Sequence, residues 1–286
     1  MDMRIGVARL ADGPVAELVG WAREAAAAGL DGAFLGQHLG GDAVLAAAVV
    51  GREVPGIEVG TAVVPTPPRH PRVLAGQALT AQEVTGGRFA LGVGPGHGPV
   101  MEEVFGVAAE PPARHTRAYL TALRALLRDA PPGVTPPPVL VGALGPAMLR
   151  VAGELADGVV TTWTGAAAVA GHVVPRVGRA AREAGRPAPR VLVGVLMALT
   201  GDPEGARGDL AARLGPAGDL PAYRAALDRQ GLSGVHETVV AGDEREIERR
   251  VRAFADAGAT DLLVSGLGDP AAQGRLLEVL GALRGR

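Results

Sequence analysis

Short, almost wholly apolar runs alternate with helix-patterned stretches eight times along this chain, and no other feature restricts its fold so tightly. The runs are Arg4–Ala8, Gly32–Leu35, Glu58–Val64, Phe89–Val93, Val139–Gly142, Gly158–Thr161, Val191–Ala198 and Asp261–Val264. Helical patterns lie between them at Val15–Ala28, Ala43–Gly51, Arg72–Thr85, Arg114–Arg128, Pro146–Leu155, Ala166–Ala184 and Glu244–Ala257, and Pro270–Leu283 closes the series. A strand covered on both faces reads as a continuous apolar run, and Val191-Leu192-Val193-Gly194-Val195-Leu196 is of that kind. Repeated β-then-α units imply a parallel sheet with helical crossovers. Eight of them in 286 residues predict an α/β fold, a single (β/α)8 TIM barrel over 1–286, in preference to an open doubly wound sheet.

Local signals agree. Gly29 and Gly258 stand where helices stop. Asp243 reads as an N-cap ahead of Glu244 and Glu246. Two stretches break the alternation. Residues 131–138 form a stiff, proline-rich connector into the fifth strand. Residues 201–236 are too long for a plain loop and hold helical patterns near Pro203–Leu214 and Pro221–Gln230, so they read as a helical insertion after the seventh strand.

Composition narrows the function. A hydrophobic content of 48% supports a large core. A net charge of −2 with few aromatics leaves no basic stripe, so a nucleic-acid partner is not expected. No run approaches the roughly 18 apolar residues of a membrane span, and Ile5–Ala8 is too short for a signal-peptide core. A cytoplasmic protein without a membrane partner is the expectation. The chain has no cysteine, which excludes disulfides, thiolate metal sites and a cysteine nucleophile. No histidine or carboxylate spacing marks a metal site.

Such barrels carry their active sites at the C-terminal ends of the strands. Gly36-Gln37-His38 stands there after the second run, and Pro65 to Pro71 after the third. Gly94-Pro95-Gly96-His97 follows the fourth, Ala143-Leu144-Gly145-Pro146 the fifth and Thr162-Trp163 the sixth. Histidine titrates near neutrality, so His38 and His97 are candidate proton donors or acceptors; each also reads as a structural histidine satisfied by its neighbours. Gly92 to Gly96 is no dinucleotide fingerprint, because Pro95 stands inside it, and it reads equally as a tight strand exit. Pro146 suits a first helical turn, whose free N–H groups would hold a phosphate; the alternative is a plain loop. Glu102-Glu103 reads as a solvated helix start, and Trp163 as either a stacking surface or a rim filler.

Taken together, these segments resemble the luciferase-like monooxygenase superfamily. Leu30 to His38 is similar to its second-strand segment, Thr85 to Gly94 to its most recognisable signature, and Leu144 to Gly158 to another. Gly60 to Pro65, with Arg69-His70-Pro71, resembles the third-strand segment of the F420-dependent branch. The match is ordered and covers nearly the whole chain. It implies coenzyme F420 as cofactor, with FMN the alternative, lying in the barrel mouth against a bulge at the end of the third strand. In the family that bulge carries a non-prolyl cis peptide, which would fall near Ala62-Val63. The resemblance places the cofactor among His38, Ala62, Val63, Gly94, Gly96, His97 and Thr162, with its phosphate at Ala143, Leu144, Gly145 and Pro146.

The chain also departs from the family. Gln37 stands where an aspartate is usual. All 28 basic residues are arginine, so the lysines that bind sugar phosphate in the family's glucose-6-phosphate dehydrogenases cannot exist here, and that activity is not expected. The absence of lysine and asparagine is the bias of a very GC-rich genome and hints at an actinobacterial source. The connector at 129–138 is shorter than usual, which is expected to leave one wall of the pocket open to a bulky substrate.

The resemblance therefore implies an F420-dependent oxidoreductase. F420H2 would give a hydride to an activated C=C, C=N or C=O group of a small-molecule or natural-product substrate, and His38 or His97 would move a proton. Alternatives on the same fold are an FMN-dependent monooxygenase and a non-catalytic deazaflavin- or flavin-binding protein. Family members are often dimers, which leaves a homodimer open.

Overall fold

Eight parallel strands hydrogen-bond in one closed ring in the computed structural model, which describes residues 2–108 and 110–284. They are β1 (Arg4–Leu10), β2 (Gly32–Gly36), β3 (Glu58–Thr61), β4 (Phe89–Gly94), β5 (Val139–Gly142), β6 (Gly158–Thr162), β7 (Arg190–Leu199) and β8 (Asp261–Gly266). Each pairs with its neighbours in chain order, and β8 closes the ring by pairing with both β1 (Arg4↔Asp261) and β7 (Leu192↔Asp261). Outside the ring run α1 (Val15–Ala27), α2 (Ala43–Glu53), α3 (Pro71–Val84), α4 (Pro112–Arg128), α5 (Pro146–Leu155), α6 (166–183), α7 (Glu244–Asp256) and α8 (Pro270–Arg284). The chain is thus the (β/α)8 barrel that the alternation predicts. Its elements end within two residues of the expected bounds, except where β3 breaks.

Alternate residues of each strand face the barrel axis, and there they form layers. The middle layer is apolar: Phe34, Ala90, Leu140, Val160, Leu192 and Leu263 are all buried. Burying one such leucine or phenylalanine contributes about 2–3 kcal/mol. The layer below, at the N-terminal ends, is charged and is made by Arg4, Glu58, Arg190 and Asp261. The layer above is where the site lies.

Four local features differ from the expectation. Glu102 and Glu103 end a short helix, Gly98–Glu103, rather than start one. Within α6, Val169–Val173 is wound as a π-helix, a widening that often marks functional positions. After β7 the expected helices are present as Pro203–Gly218, longer than predicted, and Pro221–Asp228, but the 3-10 turn Val235–Thr238 follows them. A three-residue strand, Val240–Gly242, then pairs with the end of β7. Among the described residues no helix is long and apolar enough to cross a membrane.

Candidate active site

The backing of the barrel mouth is a break in the third strand. The chain leaves β3 at Thr61, turns through a cis peptide between Ala62 and Val63, and resumes as the strand Val64–Pro65 beside β4. Hydrogen bonds hold the break on both sides. Gln37 N–H donates to the Val63 carbonyl at 3.1 Å. The Thr61 hydroxyl donates to the Gly92 carbonyl and accepts from the Gly92 N–H, each at 2.8 Å. The Thr66 hydroxyl donates to the Gly94 carbonyl at 3.1 Å.

The bulge also accounts for two of the glycines. A Cβ on Gly92 would lie 2.0 Å from the Thr61 carbonyl oxygen, and one on Gly94 would lie 2.8 Å from Val63 Cγ2. These residues lack side chains because the bulge fills the space beside them, so Gly94 acts on the mouth through Val63. Gly96 has φ of +69°, a left-handed turn that favours glycine, and it delivers His97 to the start of helix Gly98–Glu103.

The mouth brings two histidines and two larger aromatics together. His38 follows β2 and is exposed; His97 follows β4 and is half-buried. His97 is held below the ordinary histidine range, first by burial and second by the nearness of His38. A charge on one imidazole opposes a charge on the other. The Tyr223 ring, carried by helix Pro221–Asp228, packs against His97 (centroids 4.6 Å apart) and against Trp163 (4.2 Å). Burial raises the Tyr223 phenol above its ordinary range.

Trp163 has φ of +51°, a left-handed conformation that costs a non-glycine residue of order 1–3 kcal/mol. Gln230 secures it: its Nε2 donates to the Trp163 carbonyl at 3.0 Å, and its Oε1 accepts from the Gly165 N–H at 2.8 Å. From 201–236 Tyr223 thus reaches His97 and Trp163 at the mouth.

A second group surrounds the start of α5. Gly145 is the N-cap, Pro146 follows, and no side chain caps the first turn. The first amides of a helix lack intrahelical partners and draw anions. A Cβ on Gly145 would meet nothing within 4 Å, so the backbone there is open to a ligand. Ala143 is buried and Thr162 stands half-buried at the end of β6. The Leu144 carbonyl accepts from His172 Nε2 at 2.9 Å and from Arg229 at 3.2 Å. His172 lies below the ordinary histidine range, chiefly through burial and further through Arg176 and Arg229, although its bond to Leu144 works the other way.

Gln37, which replaces the family's aspartate, has a structural task. Its Oε1 accepts from Arg69 at 2.7 Å and from the Ala43 N–H at 3.1 Å, tying β2 to the start of α2. The other histidines near the rim have local partners: His70 accepts from the Arg72 N–H at 3.2 Å and His115 meets the Thr66 hydroxyl at 2.9 Å. Among the described residues no group of histidines and carboxylates could hold a metal ion. The sequence reading missed Tyr223, Gln230, His172, Arg176 and Arg229. The one signal for the first was a lone aromatic in the insertion, two residues after a helix-starting proline.

Comparison with known proteins agrees with this geometry. The family model described as luciferase-like monooxygenase matches residues 2–266. A 5,10-methylenetetrahydromethanopterin reductase of Methanolobus tindarius is 25% identical over 235 residues, covering 74% of this chain and 70% of that protein. The fold is shared with a coenzyme F420-dependent tetrahydromethanopterin reductase from Methanopyrus kandleri, at a TM-score of 0.80, 19% identity and 98% coverage of both chains. It is shared too with the oxygenating constituent of 3,6-diketocamphane monooxygenase from Pseudomonas putida in complex with FMN, at a TM-score of 0.79, 18% identity and coverage of 98% and 96%.

Proposed function

This chain belongs to the luciferase-like monooxygenase family, with F420-dependent enzymes among its relatives, and from that premise we propose an F420-dependent oxidoreductase. It works as a reductase on an activated C=C, C=N or C=O bond of a small-molecule or natural-product substrate. The approach of His38 to His97, with His97 half-buried against Tyr223 at the strand ends, carries this reading.

The residues present fit the cofactor. The Ala62–Val63 bulge offers a flat backing, and the uncapped, open start of α5 suits its phosphate. Reduced F420, when bound, supplies a hydride. The chain then has to hold the substrate and deliver a proton. Burial, and then the nearness of His38, lowers the His97 titration and favours its neutral ring, in which one nitrogen donates and the other accepts. Half-buried His97 is the group assigned to hand the proton to the substrate, and exposed His38 the one assigned to exchange it with solvent. Tyr223 packs on His97 and Trp163 on Tyr223, so these rings cover the His97 side of the mouth.

An FMN-dependent monooxygenase is the second reading, because the FMN-bound Pseudomonas protein shares this fold and an uncapped helix start serves any phosphate. Titrating the purified protein with F420 and with FMN, followed by intrinsic tryptophan fluorescence, separates the two. Micromolar F420 binding is expected. Micromolar FMN binding with no response to F420, joined by substrate-dependent oxygen uptake, would overturn the proposal in favour of the oxygenase. Tight F420 binding without turnover on any reducible substrate would reduce the protein to a carrier.

A further inference from the structure

A cavity of about 650 Å³ lies outside the barrel mouth, behind the loop from β6 to α6, with Leu144 at its inner edge. Helix Pro221–Asp228, the 3-10 turn Val235–Thr238 and α7 form its other walls. Four arginines line it: Arg176, Arg207, Arg229 and Arg250. Two of them are answered from their own helices, Arg207 by Glu204 and Arg250 by Glu246. The other two, among the described residues, have no carboxylate partner. Arg176 reaches only the Gly171 and His172 carbonyls, and Arg229 only the Leu144 carbonyl.

The single carboxylate on the lining, Glu237, is already taken up by Ser233 and the Gly234 N–H. A roomy space lined by two guanidinium groups without carboxylate partners, and by Leu144 just ahead of a helix start suited to phosphate, is built for an extended anion rather than a compact one.

We infer that this cavity binds the carboxylate chain of the cofactor, and that it is the element by which the protein prefers F420 to FMN. The inference rests on the F420 reading of the mouth. F420 carries, beyond its phosphate, a tail of linked glutamates, whereas FMN ends at its phosphate. With the phosphate at the amides of α5, the tail leaves past Leu144 and meets Arg229 and Arg176 in turn. His172, bonded to the Leu144 carbonyl, is lowered first by burial and further by Arg176 and Arg229. The π-turn that carries His172 sets both it and Arg176 toward the cavity.

The test compares three ligands by intrinsic tryptophan fluorescence: F420 with several glutamates, F420 with none, and the deazaflavin lacking phosphate and tail. The tailed form should bind about tenfold more tightly than the tailless one, as expected for two or three partly exposed charge pairs. Raising the salt concentration should narrow that gap. Arg176→Gln, whose side chain bonds only to carbonyls of its own helix, should close most of the gap while leaving the tailless form unaffected; Arg229→Gln should close the remainder. Equal binding of tailed and tailless F420 by the unaltered protein would overturn the inference and leave the F420 reading standing. A loss of equal size for both forms in Arg176→Gln would also overturn it, since the arginine would then serve the phosphate. Failure of all three ligands to bind would instead sink the F420 reading itself.

Discussion

The two ends of the barrel use arginine in opposite ways. At the N-terminal end Arg190 pairs with both oxygens of Glu58 at 2.9 Å and with Asp261 at 2.6 Å, while Arg4 joins Glu58 at 2.9 Å. Two cations face two carboxylates, and all four come from strand starts. Burial works against the charge on Arg190, but Glu58 and Asp261 more than offset this and hold it protonated. At the C-terminal end His38 and His97 meet at the mouth, and in the cavity beside it Arg176 and Arg229 bond only to carbonyls, without a carboxylate partner among the described residues. A balanced cluster closes a fold. An unbalanced one at the end of the strands where barrels bind ligands reads as a site waiting for an anion or a proton.

The largest expected effect tests the balanced end. Arg190→Ala leaves Glu58 and Asp261 inside the barrel without their main partner. Breaking a buried pair from one side typically costs about 3–5 kcal/mol. Urea unfolding should show a loss of that order, whereas the fraction that stays folded should bind F420 as before. A variant of unaltered stability, or one whose binding falls in step with its stability, would break the division of labour between the ends.

The histidines test the other end. His97→Ala and His38→Ala should each slow turnover while leaving the unfolding midpoint nearly unaltered. General acid–base assistance is worth about 10²–10⁴-fold. If both variants keep the wild-type kcat, neither moves the proton and the pair merely lines the mouth. If only His97→Ala is slow, the inner imidazole acts alone and His38 serves as its electrostatic neighbour.

What the sequence made legible follows from how far each signal reaches. The eight strands stood out because both of their faces are covered, which leaves unbroken apolar runs such as Val191 to Leu196. The cis bulge came from resemblance alone, since Ala62-Val63 carries nothing that periodicity could detect. Tyr223 and Gln230 act on Trp163 and Gly165 across some sixty residues, and such long-range contacts leave no local pattern. The π-turn in α6 has the composition of an ordinary helix, and Val240–Gly242 is too short to compete with the N-cap signal at Asp243. At Gly94 a missing side chain marks close approach, and in this structure Val63 stands where that side chain would go.

The smallest expected effect sharpens the comparison through pH. His97 and His172 both titrate below the ordinary histidine value in the folded protein, the first chiefly through burial and then His38, the second chiefly through burial and then its cationic neighbours. In the unfolded chain both return to about 6.5. Below that pH the unfolded state therefore takes up protons that the folded state refuses. Stability is full above the unfolded value and falls as the pH drops from about 7 toward the lower folded values. Both residues lie at the C-terminal end, so this loss belongs to the site and not to the ion cluster beneath. Unfolding midpoints at pH 7.5 and 5.5 should differ in the unaltered protein, and His97→Ala and His172→Ala should each shrink the difference. Saturating F420 should shrink it as well if the bound anion draws the His172 proton back, because the cationic field that depresses His172 would then be neutralised. A pH dependence identical in all three proteins would show that the unbalanced cluster places no strain on the fold, and the contrast between the two ends would have to rest on ligand binding alone.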